Sequence, residues 1–141
     1  MASNTLAITP SVAKAVKAAL TTACVDKTGA TVANLVAGFT AVTAANGGTG
    51  ALVQDITATA PSATSTTTAA FVLLIFKVSA AASYKLWKEI AVAAGTGSTT
   101  AIGATTGKIV LNEFLEPGES LWFGTTITLP VHVTGNAGEY N

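Results

Sequence analysis

Short apolar segments alternate with breaks rich in Gly, Thr and Pro along residues 55–140. Each segment is as long as a β-strand and rich in β-branched and aromatic side chains, the composition typical of strands. The segments cover residues 71–78, 84–92, 108–114, 120–123 and 127–134. Between two of them, Pro117 and Gly118 fit the central positions of a type II turn, because Pro presets φ and Gly accepts a positive φ. The pattern predicts β-structure throughout this part of the chain.

Two further strands are predicted at residues 31–37 and 51–59, separated by a loop, residues 46–50, that accepts positive φ. No segment after Leu20 has a helical pattern. We therefore expect an all-β protein: a single antiparallel β-sandwich of seven to eight strands, for which a jelly-roll-like topology is one form. The run 71–76 is apolar at every position. It should be a central strand, covered on one face by the opposite sheet and on the other by a neighbour or subunit.

The first twenty residues permit two interpretations. Pro10 could open a helix with Val12, Val16 and Leu20 on one face, and the many Ala residues favour a helix. Against this, no acidic residue supports the first turn of such a helix. We expect an extended strand or arm instead.

The predicted organisation is an N-terminal arm or first strand over residues 1–24, followed by a β-sandwich domain over residues 25–141. Residues 1–20 contain few large apolar side chains, so we expect a binding arm more than an element of the core. Lys14 and Lys17 are candidate interface residues there, since both could reach acidic groups on a partner.

Composition limits the class of protein. The chain has 141 residues, enough for one domain, with seven basic residues that are all Lys, seven acidic residues and a formal net charge of zero. Nucleic-acid binding normally needs a basic surface with Arg, so we expect no nucleic-acid partner. A surface with so little net charge gives little protection from self-association, and we expect a homo-oligomer.

No membrane partner and no intrachain disulfide are expected. The longest apolar run, residues 69–76, is far shorter than the ~20 residues of a spanning helix. The N-terminus lacks the basic start and long apolar core of a signal peptide. Cys24 is the only cysteine, so synthesis in a reducing compartment without secretion is the expectation.

Few residues could support catalysis or hold a cofactor or a metal ion. His132 is the only histidine and lacks further ligands for a metal site, and Cys24 has no basic neighbour in sequence to activate it. Glu113, Glu116 and Glu119 surround the Pro-Gly turn without the ligand spacing of a calcium loop. We expect no catalytic, cofactor-binding or metal-binding site, and a protein that is not an enzyme.

The two tryptophans are the other candidate interface residues. If Leu86, Leu121 and Phe123 face the core, strict alternation along the strands turns Trp87 and Trp122 outward. An exposed Trp can anchor a protein interface, where Trp is enriched, or stack on a sugar. Two alternatives remain open: loops cover one face of the sheet, or a β-bulge reverses the alternation.

From residue 53 onward, the chain resembles a family of small β-sandwich virion proteins of tailed bacteriophages. The matching features are Asp55-Ile56, a Thr-rich hairpin at residues 64–68 before residues 71–76, Tyr84-Lys-Leu-Trp-Lys-Glu-Ile90, Phe114-Leu-Glu-Pro-Gly-Glu-Ser-Leu-Trp122, Val131-His-Val-Thr-Gly135 and Gly138-Glu-Tyr140. The strand with Leu-Trp-Lys-Glu and the turn with Pro-Gly are its most recognisable parts. The resemblance implies a component of the virus particle made in the host cytoplasm.

Within that class, the leading expectation is a capsid cement or decoration protein. Such a protein would bind the major capsid protein on the capsid exterior, as a homotrimer, and would stabilise the mature shell. The alternative is a tail or neck component, with a host-surface glycan-binding module as one form. In that case Tyr84, Trp87 and Trp122 would form a stacking platform, with polar neighbours such as Asn112.

Overall fold

The computed structural model describes residues 12–24, 27, 34–61, 67–68, 70–96, 104–128 and 130–140. The strands are β1 (Val12–Leu20), β2 (Val36–Thr40), β3 (Ala51–Pro61), β4 (Thr67–Thr68), β5 (Phe71–Val78), β6 (Tyr84–Val92), β7 (Gly95–Thr96), β8 (Ala104–Leu115), β9 (Ser120–Thr125) and β10 (Val131–Glu139). One 3₁₀ turn, Ala44–Asn46, precedes β3. No helix in these ranges is long and apolar enough to cross a membrane.

The eight long strands form two antiparallel four-stranded sheets. The first sheet has the order β1-β10-β3-β8 and the second has the order β2-β9-β5-β6, while β4 and β7 pair separately. Along the chain, the first long strand pairs with the eighth, the second with the seventh, the third with the sixth and the fourth with the fifth. This nested pairing is the jelly-roll topology. The predicted all-β sandwich is therefore confirmed, in its jelly-roll form.

The main core lies between the two sheets. Val16 of β1 and Ile56 of β3 belong to the same buried cluster as Leu73 and Ile75 of β5 and Phe123 of β9. All five side chains are fully buried. Burial of this apolar surface is the largest favourable contribution to folding, at roughly 25 cal/mol per Å².

In the C-terminal half, several strand limits and turns agree with the sequence pattern, but the strand predicted at residues 127–134 is displaced to Val131–Glu139. The two strands β5 and β6 have the predicted limits, whereas β8 starts at residue 104 and shortens the predicted loop before it. The predicted type II turn is confirmed, because Gly118 has φ 81° and the Glu119 N–H donates to the Glu116 carbonyl at 3.0 Å. In the loop 46–50, Gly47 and Gly50 have the predicted positive φ, 84° and 121°.

The N-terminal half corrects two expectations. The strand predicted at residues 31–37 is displaced to Val36–Thr40, and residues 31–33 lie outside the described ranges. Residues 12–20 are extended, as expected, but they form an edge strand of the first sheet in which Val16 and Leu20 are at most 1% exposed. For these residues the expectation of a binding arm is wrong, because two apolar side chains four positions apart reach the core. Residues 1–11 lie outside the described ranges.

Candidate protein interface

The second sheet is apolar on both faces. On β5, Leu73 and Ile75 point to the main core, whereas Leu74, Phe76 and Val78 belong to a separate cluster on the outer face. All five are at most 4% exposed, so the outer face of β5 is covered as well. β5 is thus the predicted central strand with cover on both sides.

The cover on the outer face comes from the same chain. The Cys24 N–H donates to the Thr125 carbonyl at 2.7 Å, and Cys24 and Leu35 both join the outer cluster. Gly124 permits this close approach, because a Cβ there would stand 2.9 Å from Leu35 Cδ2 and 3.1 Å from Cys24 Cβ. Cys24 therefore has the packing role of a small apolar side chain.

Beyond this cover, part of the outer face stays open. Tyr84, Leu86 and Trp122 pack against the outer cluster but are only partly buried, and we call these three residues the aromatic surface. The Tyr84 and Trp122 rings meet edge to face, with centroids 5.5 Å apart and planes at 77°, a favourable aromatic geometry. The Trp122 Nε1–H donates to Ser120 Oγ at 3.0 Å. Both contacts hold the Trp122 ring in place before any partner arrives.

A β-bulge in β6 decides where Trp87 points. Ile75 of β5 pairs with Lys88, whereas the next residue of β5 pairs with Leu86, which leaves Trp87 unpaired in the register. Trp87 and Lys88 therefore both oppose Ile75. Trp87 packs against the main core and Leu86 joins the outer cluster. Strict alternation is correct for Trp122 and wrong for Trp87 and Leu86, and the bulge alternative is confirmed.

A cleft of about 290 Å³ lies where β5 ends and β6 begins, beside the turn between β8 and β9. It is lined by Lys77, Ser79, Ser83, Lys85, Leu86, Trp87 and Glu119, and we call it the lysine cleft. Lys77 and Lys85 are direct cross-strand partners in the register. Leu86 lines the cleft and also belongs to the aromatic surface, whereas Trp87, another lining residue, lies on the core-facing side of the same sheet.

Ammonium groups surround the indole of Trp87. Lys77 Nζ lies 5.7 Å and Lys88 Nζ 5.6 Å from its ring centroid, within the range of a cation–π interaction. Lys77 Nζ also lies 3.4 Å from Glu119 Oε2, and it donates to the Phe114 carbonyl at 3.4 Å. Lys77 thus connects the second sheet to the end of β8 and to the turn that follows.

The lysines predicted as interface residues lie elsewhere. Lys14 Nζ stands 3.6 Å from Glu139 Oε2, whose side chain is 4% exposed, so Lys14 has a structural partner within the chain. Lys17 is exposed on the outer face of the first sheet, beside His132, where a shallow groove of about 320 Å³ lies.

The four predicted interface residues therefore do not form one surface. Lys17 and Trp122 lie on the outer faces of opposite sheets, Trp87 faces the main core, and Lys14 pairs with a buried carboxylate. Only Trp122 belongs to the aromatic surface, and Trp87 reaches the neighbouring cleft.

His132 and Glu119, which were considered for catalysis or metal binding, lie in different parts of the fold. His132 is exposed on β10, and Glu119 Oε2 accepts the Glu116 N–H at 2.8 Å, which stabilises the Pro-Gly turn. In the described ranges, no three His, Cys, Asp or Glu side chains are grouped in a way that could hold a metal ion.

Sequence reasoning missed the lysine cleft. Its signal was present, because Lys77, Lys85 and Lys88 lie in strands whose other residues, apart from Glu89, are apolar or aromatic. Their convergence depends on the register between β5 and β6 and on the bulge at Trp87, which no local pattern indicates.

Comparison of the chain with models of known families, with curated proteins and with solved structures finds no match.

Proposed function

We propose that this protein is a non-enzymatic structural protein of a tailed-phage particle, and specifically a capsid cement or decoration protein. It is made in the host cytoplasm, binds the major capsid protein on the outside of the mature shell, and acts as a homotrimer. The observation that carries the proposal is the aromatic surface, where Tyr84, Leu86 and Trp122 remain partly open beside a group of lysines. The resemblance of the chain from residue 53 onward to small virion proteins of tailed bacteriophages supports a role in such a particle.

The aromatic surface has the composition of a protein interface. Trp and Tyr are enriched at the centres of interfaces, while charged groups lie at the rim. The edge-to-face contact with Tyr84 and the hydrogen bond to Ser120 already order the Trp122 side chain. Less side-chain entropy is therefore lost on binding, which favours affinity.

We expect the protein to stabilise the shell through its binding equilibrium. A protein that binds only the assembled shell stabilises that state by its binding free energy, and the effect is repeated at every copy. The jelly-roll sandwich supports this role, because its two sheets hold the aromatic side chains on regular strands.

The alternative of a host-surface glycan-binding module in the tail or neck has less support. Jelly rolls occur in lectins as well as in capsid proteins, so the fold does not distinguish the two classes. A stacking platform would need Tyr84, Trp87 and Trp122 on one face, but Trp87 packs toward the main core with ammonium groups over its ring. Asn112, named with that platform, lies on β8 in the first sheet.

Particle reconstitution tests the proposal. Purified protein is added to particles that lack it, and bound copies are located by cryo-electron microscopy. We expect many copies over the mature shell, and strong loss of binding for Leu86→Gln. A matched control is Thr134→Gln, which changes an exposed side chain on β10, an inner strand of the first sheet. Copies confined to the tail or neck would contradict the cement role, and equal binding by both variants would contradict the aromatic surface as the docking site.

A further inference from the structure

Positive charge is concentrated at the lysine cleft. Lys77 and Lys85 face each other directly across β5 and β6, and Lys88 follows the bulged Trp87. Like charges directly opposite each other destabilise a sheet. Lys77 and Lys85 line the cleft with Glu119 as the one carboxylate of that lining, and Lys88 lies next to it, with its Nζ 5.6 Å from the ring centroid of Trp87.

Lys77 is paired with a carboxylate within the protein, whereas the other two lysines are not. The Glu119 carboxylate and the Phe114 carbonyl, each at 3.4 Å, hold Lys77. Lys85 is exposed, and neither Lys85 nor Lys88 has a carboxylate within ion-pair distance in the described part of the chain. Lys85 and Lys88 are therefore available to an anion from outside.

The surroundings favour a carboxylate over a phosphate or a sugar. The cleft offers the apolar side chain of Leu86 beside hydroxyl groups, and Ser79 Oγ accepts the Ser83 N–H at 3.2 Å, which leaves its own hydrogen able to donate. A phosphate monoester carries about two negative charges at pH 7, whereas one of the two lysines in the lining is already paired with Glu119, so the remaining positive charge matches a single carboxylate better. Ammonium groups over the Trp87 ring oppose stacking of a sugar there.

We infer that the lysine cleft binds a carboxylate side chain from an acidic peptide segment of a partner protein, with Lys85, which lines the cleft, and Lys88, beside Trp87, as its cationic contacts. The cleft shares Leu86 with the aromatic surface, but Trp87 in its lining lies on the core-facing side of that sheet, so the cleft is a second contact at the end of β5 and the start of β6. The inference rests on the proposed function only in naming the shell as the source of that segment.

Peptide binding by the isolated protein tests the cleft itself. The probe is a blocked oligoglutamate peptide, compared with an oligoglutamine peptide of equal length, and the readout is the indole N–H signals of Trp87 and Trp122 by NMR, assigned with Trp122→Phe. We expect the Trp87 signal to shift with oligoglutamate alone and the affinity to fall with added salt. Joint Lys85→Gln and Lys88→Gln substitution should weaken binding about fivefold, as expected for two exposed ion pairs. Lys17→Gln, on the other sheet, is the matched control and should bind as the wild type does.

Three outcomes would overturn the inference: no shift at millimolar peptide, an equal response to oligoglutamine, or stronger binding of inorganic phosphate or glucuronate. If the double variant is unstable, the affinity of the wild-type protein for oligoglutamate at several salt concentrations still tests the inference. An affinity that is independent of salt would contradict ionic contacts. On particles, a double variant that occupies the shell like the wild type would overturn the inference and leave the proposed function intact. If the wild-type protein is absent from the shell, the proposed function fails and the peptide measurement alone decides the inference.

Discussion

Three glycines mark points where another part of the chain passes close to a strand. A Cβ on Gly38 would stand 2.2 Å from Phe123 Cε2, and a Cβ on Gly135 would stand 2.2 Å from the Asp55 carbonyl oxygen. At Gly124 the covering segment with Leu35 makes the close approach. Absence of a side chain within a strand is typical of such contacts. The close approaches therefore explain why glycine, which has a low strand propensity, stands within these strands.

Gly135→Ala should lower the free energy of unfolding by about 2–3 kcal/mol, because the new methyl group meets backbone that can move only with β3. Chemical denaturation monitored by circular dichroism measures the change. Thr134→Ala, an exposed neighbour on the same strand, is the control and should change stability by no more than about 0.5 kcal/mol. Equal stability of the two variants would show that β3 and β10 are further apart than described.

Asp55 is expected to titrate below its usual pKa. The side-chain amide of Asn136 donates to Asp55 at 3.2 Å and lowers the pKa of that carboxyl, with a smaller contribution from Lys108 at 3.6 Å. Because the folded-state pKa is depressed, the stabilisation is present above the usual pKa of Asp and is lost as pH falls through the folded value. Asn136→Ala should raise the pKa of Asp55 toward its usual value, measured by NMR titration. Lys108→Ala should raise it less, and a larger effect of Lys108→Ala would contradict this assignment.

At the scale of elements, β1 shows how a strand of small residues can still belong to a core. It pairs with β10 in an unbroken register from Val12 to Leu20. Val16 and Leu20 point inward and are buried, while Lys17 and Ala19 between them are exposed, as is Ala15 before them. The strand closes one edge of the first sheet, so it supports the sandwich as well as any surface role.

Loss of β1 should therefore destabilise the sandwich, in contrast to the expectation of a dispensable arm. Leu20→Ala should lower the free energy of unfolding by about 2–5 kcal/mol, the range for truncation of a buried Leu. Ala19→Ser, next to it and exposed, should change it by less than about 0.5 kcal/mol. Deletion of residues 1–20 should lower the melting temperature more than Leu20→Ala does, as calorimetry would show. A deletion variant as stable as the wild type would restore the arm interpretation.

At the scale of the whole molecule, each of the two sheets ends in two edge strands. β1 and β8 end the first sheet, and β2 and β6 end the second. β1 lies against β2, and β6 lies against β8. Val110 and Phe114 of β8 are large apolar side chains that are 65% and 47% exposed. These exposed apolar side chains and a formal net charge of zero both favour association between copies.

We expect the purified protein to form an oligomer at tens of micromolar, with a trimer as the proposed state. Sedimentation velocity at several concentrations and salt levels measures this directly. Sedimentation as a monomer at all concentrations, without oligomers on the particle, would contradict self-association. Since net charge is absent, the association should depend weakly on salt, whereas binding at the lysine cleft should weaken with added salt.

Local pattern alone determined the all-β class, the limits of β5 and β6 and the type II turn at Gly118. These features depend on strand propensity, alternation and turn chemistry, which neighbouring residues decide among themselves. The partly exposed position of Trp122 also followed from alternation on β9. For the candidate interface, local pattern therefore predicted one of its anchors.

Only the tertiary structure decided the strand order, the burial of Val16 and Leu20, and the surroundings of Trp87. The bulge at Trp87 is defined only by how β6 pairs with β5. The ion pair of Lys77 with Glu119 joins residues that are distant in the sequence. The cover over Leu74 and Phe76 likewise comes from Cys24 and Leu35, far away along the chain. Such contacts depend on which segments meet in space, and that is a property of the packed molecule and not of any local window of residues.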